Sequence, residues 1–235
     1  MATAPAAAVS PSYTVVPLGC DYAVHKSGAP LQTPGRATFV LPTSALAEAI
    51  AQEWAAPTDK VRISMPMTQL AATAIDITRK DRAGTLVQVQ GYVASELLCY
   101  HAENPPQLVA DQLKHWQPAL DWLGRAFGIV LRTGPGVMPI EQGPEVFSAM
   151  RTVLHRLDDF RLTGLKFATE VSGSLVLALA LAEGFYTPQQ VFEAAEIDSS
   201  FQAQIWGQDP ASEKRRESIQ YDLVVSELWF DLLKA

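Results

Sequence analysis

Histidine, cysteine, serine and paired carboxylates are the residues with which this chain would do chemistry, and their spacing gives them little to do. The four histidines, His25, His101, His115 and His155, are scattered, and none forms HExxH or stands at a ligand spacing from another. Cys20 and Cys99 form no CxxC pair, so neither a zinc site nor a disulfide framework is indicated. Asp158 and Asp159 are adjacent, and neighbours on a helix do not face each other, so capping explains them better than acid/base work. Gly134-Pro135-Gly136 starts like a nucleotide loop, but Pro139 replaces the third glycine and the stretch reads as a turn. No GxxxxGK[ST] or GxSxG occurs, and Ser172 and Ser174 have no base nearby in sequence. Asp76, on an otherwise apolar helix, reads as a half-buried carboxylate paired to Arg79 or Arg36. No nucleophile, base and orienting group come together, and the residues predict a protein that is not an enzyme, with neither cofactor nor metal. The alternative is a small-molecule enzyme with convergent polar residues in a cleft between two domains.

The tryptophans say more. Trp54, Trp116, Trp122, Trp206 and Trp229 are many for 235 residues. Trp122 lies off the main apolar face of its helix, and Trp206-Gly207 stands at a helix end just before Asp209-Pro210. Aromatic side chains at the edge of a helical surface are typical anchors for a protein partner. Trp206 with Gln204, Gly207, Gln208 and Asp209 has the composition of a small hot spot, an apolar anchor in a polar rim. The other reading of the same residues tucks Trp206 inward as a plug while Asp209 caps the last helix. Trp54 shares a helix face with Leu46 and Ile50 and is assigned to the core.

Composition fits this picture. With 48% hydrophobic and 18% charged residues the chain can bury a sizeable core, and a net charge of −7 argues against general nucleic-acid binding. Lys214-Arg215-Arg216, flanked by Glu213 and Glu217, reads as a solvated helix face. Residues 1–12 are Ala/Pro-rich and are expected to be disordered; they lack both the apolar run of a secretory signal and the arginines of a mitochondrial presequence. The simplest compartment is a bacterial cytoplasm.

The elements that position these residues follow from periodicity. Residues 13–41 read as strands, with a turn at Ser27-Gly28 and a third strand from Thr38. Thr43 caps a helix ending before Pro57, and a second helix follows Pro66. The ambiguous 86–93 stretch is assigned to a helix, and 97–100 to a short buried strand. After Asn104-Pro105, with Gln107 as a capping-box partner, helices dominate: one through Leu108, Gln112, Trp116, Leu120, Leu123 and Phe127, kinked at Pro118, and others from Gly143, Thr187 and Asp209. The centre is 158–184, read as one nearly all-apolar core helix in which Ser172, Gly173 and Ser174 admit a neighbouring backbone. Lys166 and Glu170 leave it too short to span a membrane. The fold class is α+β: a disordered terminus (1–12), a small β-rich unit with short helices (13–104), and a mainly helical carboxy-terminal domain (105–235).

Seven segments in order then resemble a family. YAVHKSGAPLQTPGRATFVLPT is similar to the pattern Y-x-V-x-x-D-G-R-P-L-K-T-P, with Ser27 and Ala29 in place of the usual acidic and basic residues; LAEAIAQEW, MPMTQLAATAIDIT, ELLCY, WQPALDW, SGSLVLALALAEG and IWGQD follow. Together they resemble the assembly chaperone of the F-type ATP synthase that handles the α subunit of the catalytic head. The resemblance implies a non-enzymatic protein, monomeric when free, that shields the α subunit's interface until the β subunit replaces it. The aromatic and hot-spot reading places partner contacts at Trp122 and at Gln204, Trp206, Gly207, Gln208 and Asp209, and Trp54, Pro66, Asp76, Ser172 and Gly173 are assigned structural roles. The resemblance also implies a mitochondrial location in eukaryotic relatives. One departure stands out: where the family commonly carries an acidic residue before the Trp-Gly pair, this chain has Gln202, Ala203 and Gln204, and Gln208 replaces another after it.

Overall fold

A computed structural model describes residues 11–56, 65–136, 138–207 and 209–234, so the first ten residues of the expected disordered terminus, and Gln208, lie outside the described residues. The fold is α+β, a small antiparallel sheet at the amino-terminal end followed by helices. Strands β1 (Tyr13–Leu18) and β2 (Asp21–Lys26) form a hairpin, with Tyr13 opposite Lys26 and Leu18 opposite Asp21. Ser27 and Gly28, with φ of 49° and 87°, turn the chain into β3 (Ala29–Pro30). Two successive positive φ angles are what a tight hairpin turn demands. The strand expected from Thr38 is shorter, β4 (Val40–Leu41), pairing with β2, plus a lone bridge between Gln32 and Thr38.

Helix α1 (Ser44–Ala55) packs on β1 and β2 through Leu46 and Ile50. Thr43 caps it by accepting from the Leu46 amide at 3.2 Å, and its own hydroxyl donates to Leu232 O at 2.6 Å, joining the two ends of the chain. Trp54 is half buried beside Tyr13, ring centres 6.2 Å apart, and its indole N–H finds no acceptor among the described residues. Glu53 accepts from the Met67 and Thr68 amides at 2.8 Å each, at the start of α2 (Pro66–Thr73), where Pro66 occupies the first turn. A π turn at Ala74–Thr78 follows and carries Asp76. Asp76 accepts from the Thr33 hydroxyl at 2.9 Å and the Gly35 amide at 2.8 Å and pairs with Lys80, not with Arg79 or Arg36 as the sequence suggested. Thr33 and Gly35 are loop groups that no helical spacing reveals, whereas Lys80 stands four residues on from Asp76. Arg79 instead reaches Asp159, which also holds Arg82 at 2.9 Å.

The 86–93 stretch is helical, as expected, in α3 (Arg82–Gly91) and the 3-10 turn Tyr92–Ser95 that follows it. The strand expected at 97–100 is mostly a 3-10 turn, Leu97–Cys99, leaving only β5 (Tyr100–His101), which pairs in parallel with β6 (Gly134–Pro135). Helix α4 (Pro106–Phe127) runs through Pro118 and buries Gln112, Trp116 and Leu123. Its expected capping box is absent: Pro105 precedes it, and Gln107 bonds Asp111 instead. The Trp116 indole donates to Ala194 O at 2.9 Å. Helix α5 (Pro144–His155) presents Val146, Met150 and Leu154 inward, at the expected spacing.

The largest departure is at the centre. The 158–184 stretch is two helices, α6 (Asp159–Ser172) and α7 (Leu175–Ala182), broken at Gly173 with φ of 69°. Only a residue without a Cβ enters that left-handed region freely. Gly173 is exposed, and a Cβ there would meet nothing, so it ends a helix and is no site of close packing. The close approach is at Gly164, where a Cβ would lie 2.4 Å from Trp229. Asp158 caps α6 through the Arg161 amide at 2.8 Å, and Ser172 bonds Ala168 O and Ser174 O. Helix α6 packs against α2, α3, α7, the π turn and the last helix, so the centre of the fold is where the sequence places it. No helix among the described residues is long and apolar enough to cross a membrane.

Every residue from Leu175 to Leu181 is buried, and the first amides of α7 have no water to satisfy them. Glu96, 1% exposed, takes that place. Its carboxylate accepts from the Leu175 amide at 2.9 Å, the Val176 amide at 3.3 Å, the Leu98 amide at 3.4 Å, and the Ser174 hydroxyl. Burial raises its pKa from 4.5 to about 7 in spite of these donors. Burial together with the Glu96 charge also pushes the neighbouring Cys99 thiol up to about 12.

Two predictions follow from this core. Gly164→Ala should cost about 1–3 kcal/mol by overpacking against Trp229, whereas Gly173→Asn, tolerated in the left-handed region, should cost less than about 1 kcal/mol. Urea unfolding checks this, and equal losses at the two positions would contradict the break at Gly173. The second concerns pH. Between 4.5 and about 7 the folded chain holds the Glu96 proton more tightly than the unfolded chain. Its contribution to stability is therefore complete below 4.5 and is lost as pH rises to about 7. The Glu96 carboxyl carbon, followed by NMR, should titrate near the upper value and not at the ordinary one.

Candidate partner-binding surface

Beyond α7 the chain turns at Gly184 and enters α8 (Pro188–Ala195) through the capping box expected of Thr187 and Gln190. Helix α9 (Ile197–Trp206) ends at Gly207, with φ of 84°, and α10 (Pro210–Leu232) begins two residues later behind Asp209. These two helices make a hairpin whose base is a buried ion cluster. Glu196, 4% exposed, accepts from Arg215 at 3.0 Å and Arg216 at 3.3 Å. Arg216 also donates to the Ser200 hydroxyl at 3.0 Å and lies over the Phe192 ring, 4.9 Å from its centre.

The basic triplet is thus not simply a solvated face, because two of its three residues pair with a buried carboxylate. Sequence reading missed Glu196, whose partners lie 19 and 20 residues away. At the tip of the hairpin the two readings of the Trp-Gly segment divide between the residues. Trp206 does not plug the helix end: it is 84% exposed, next to an exposed Ile205. Asp209, by contrast, caps α10, accepting from the Ala211 and Ser212 amides at 2.9 and 3.0 Å and from the Ser212 hydroxyl at 2.7 Å. Those bonds, the Ser212 hydroxyl first, hold its carboxyl below the usual range.

Gln204 and Gly207 are exposed beside Trp206, and Gln208 lies outside the described residues. A groove of about 260 Å³ runs back from Trp206 between the helices, lined by Gln202, Ala203, Ser199 and Arg216. The arrangement offers one large apolar side chain at the tip of a hairpin tied at its base by ion pairs, with polar groups around it. That suits capture of a protein surface; it brings no nucleophile to a base.

Trp122 sits elsewhere, at the far end of α4. It stacks on Phe185 at 5.1 Å and meets Phe127 edge-on at 5.4 Å, and Phe185 in turn stacks on Tyr186. This half-exposed aromatic ladder is not brought together with Trp206 by any contact given among the described residues. Trp54, Pro66, Asp76, Ser172 and Gly173 are likewise distributed over α1, α2, the π turn and the α6–α7 break.

Comparison with known proteins accords with this geometry. The sequence profile of the ATP12 chaperone protein family matches residues 10–124. The crystal structure of Atp12 from Paracoccus denitrificans superposes with a TM-score of 0.89 at 33% identity, covering 94% of this chain and 95% of that one. A point mutant of the same protein gives 0.90 at 33% identity over the same shares. The Atu1473 protein of Agrobacterium tumefaciens gives 0.86 at 30% identity, covering 94% of this chain and 84% of that one. With similarity of that extent over nearly the whole chain, the ordered segments and the fold identify one family: the chain belongs to the ATP12 chaperones, the ATP synthase assembly chaperones that its sequence resembles.

Proposed function

We propose that this protein is a non-enzymatic chaperone that binds the unassembled α subunit of the F-type ATP synthase catalytic head and shields its subunit-facing surface until the β subunit displaces it. The observation that supports this most is Trp206, 84% exposed at the tip of a hairpin fixed by the Glu196 ion cluster. Trp206 and its neighbour Ile205 together expose a contiguous apolar patch rimmed by polar groups, the kind of surface that marks a protein contact. An unassembled subunit of an obligate complex exposes a large apolar interface, and such interfaces are entered through aromatic anchors. A chaperone that must later yield needs a small, well-defined grip and no nucleotide. Gln204, Gly207, Gln208 and Asp209 would form the polar rim, and Trp122 a second aromatic contact. Both solved relatives come from bacteria, which supports a bacterial setting.

The test uses purified α subunit and variants confirmed to be folded. Trp206→Ala should leave stability within about 0.5 kcal/mol, as an exposed position does, and should weaken α-subunit binding at least tenfold, about 1.4 kcal/mol. Gln204→Lys should also weaken binding without unfolding the protein. Wild-type affinity in both variants, measured by titration calorimetry, would remove this hairpin tip from the interface.

A further inference from the structure

The last helix carries a second apolar surface that the core does not use. Tyr221, Val224 and Leu228 recur at spacings of three and four on the side of α10 turned away from the buried Leu223 and Trp229. Val224 is 50% exposed and Leu228 48%. Along one flank the stripe borders a groove of about 390 Å³, walled by Tyr221 and Val225 of α10, Pro66 and Leu70 of α2, and Phe167 of α6. Along the other flank run Glu227 and Asp231, and Glu217 stands at the near end. From Glu217 to the end of α10 the helix bears four carboxylates, counting Asp222, and no Lys or Arg; Lys234 follows and bonds Asp231 at 2.8 Å.

An apolar stripe beside a groove, bounded by carboxylates, specifies the chemistry of its occupant. A helix laid in such a groove presents residues at i, i+3, i+4 and i+7 to the stripe. Its own edge must bring positive charge to meet Glu227 and Asp231. A second copy of this chain meets the requirement poorly. A two-fold dimer through the stripe would set each copy's carboxylates near the other's, in a protein already at −7. The stripe lies on the same helix that starts behind Asp209, about 18 Å along its axis.

We infer that the α10 stripe and its groove receive one amphipathic helix of the client subunit, apolar on one face and rich in Lys or Arg along its edge. The client's identity rests on the function proposed above; the chemistry of the groove does not.

The test has two arms. In the first, the probe is a synthetic amphipathic peptide with leucines on one face and lysines on its edge, together with a scrambled peptide of the same composition. The full chain should bind the first and bind the scrambled peptide at least tenfold more weakly. The Val224→Ser/Leu228→Ser double variant should keep its melting temperature and lose at least tenfold in affinity for the amphipathic peptide. Glu227→Lys with Asp231→Lys should weaken it most at low salt. Equal binding of the two peptides, or wild-type binding by the double variant, would overturn the inference. So would a wild-type dimer in sedimentation that the double variant abolishes, because the stripe would then be a self-interface.

In the second arm the client is purified α subunit. Weakened binding by the double variant supports the inference. Retained binding by the double variant, where Trp206→Ala loses it, overturns the stripe and leaves the proposed function standing. Peptide binding by a chain that never holds the α subunit keeps the groove and removes the proposed client.

Discussion

A carboxylate placed where water cannot reach holds this fold together. Helix α7 is buried along nearly all its length, and its opening amides would be orphaned in the interior without Glu96. An unpaired buried amide costs roughly 1–3 kcal/mol, and more than one is at stake here. By meeting them from a different part of the chain, Glu96 ties the 92–101 segment to the break between α6 and α7. The consequences spread outward. The segment fixed by Glu96 leads into β5 and its pairing with β6, and α7 sets the course of α8, against which Trp116 is bonded. The same burial that makes the arrangement rigid also keeps its charge state near a balance.

What could be read from the sequence was what local chemistry decides. The Ser27-Gly28 turn, the capping box of Thr187 and Gln190, the Thr43 cap, and the inward positions of α4 and α5 all follow from residues within a few places of each other. What could not be read depends on distant partners. Glu96 meets groups 78 to 80 residues away, and Asp76 meets Thr33 and Gly35 from a π turn that no spacing announces. The break at Gly173 was hidden for a different reason. The apolar residues on both sides keep helical spacing, so the period continues while the backbone does not. At the candidate site, periodicity allowed Trp206 to face in or out, and only the ion cluster beneath it decides the direction of the hairpin. The Tyr221 stripe went unread because a search for inward-facing residues passes over a second apolar face on the same helix.

The two surfaces on the carboxy-terminal hairpin differ in kind. The tip is small, rigid and dominated by one indole; the flank of α10 is long, shallow and acidic. A chaperone must hold a sticky client firmly and yet surrender it. In the reading proposed above, a point anchor and a broad acidic cradle would divide those demands, each contact alone being modest and their joint strength depending on simultaneous engagement. The ion pairs of Glu196 with Arg215 and Arg216 tie the two helices together at the base of the hairpin.

The environment of Cys99 has a further, practical meaning. With its thiol pushed to about 12 and buried beside Glu96, it stays protonated and sheltered at neutral pH. Thiolate is the reactive species, so Cys99 is inert toward alkylating reagents in the folded protein. Cys20, exposed in the β1–β2 turn, is then a single natural attachment point for a fluorophore or spin label. A chain that arrives with one addressable thiol, on the sheet hairpin and not on the α9–α10 tip, can be observed while it captures and releases its client without any engineered cysteine.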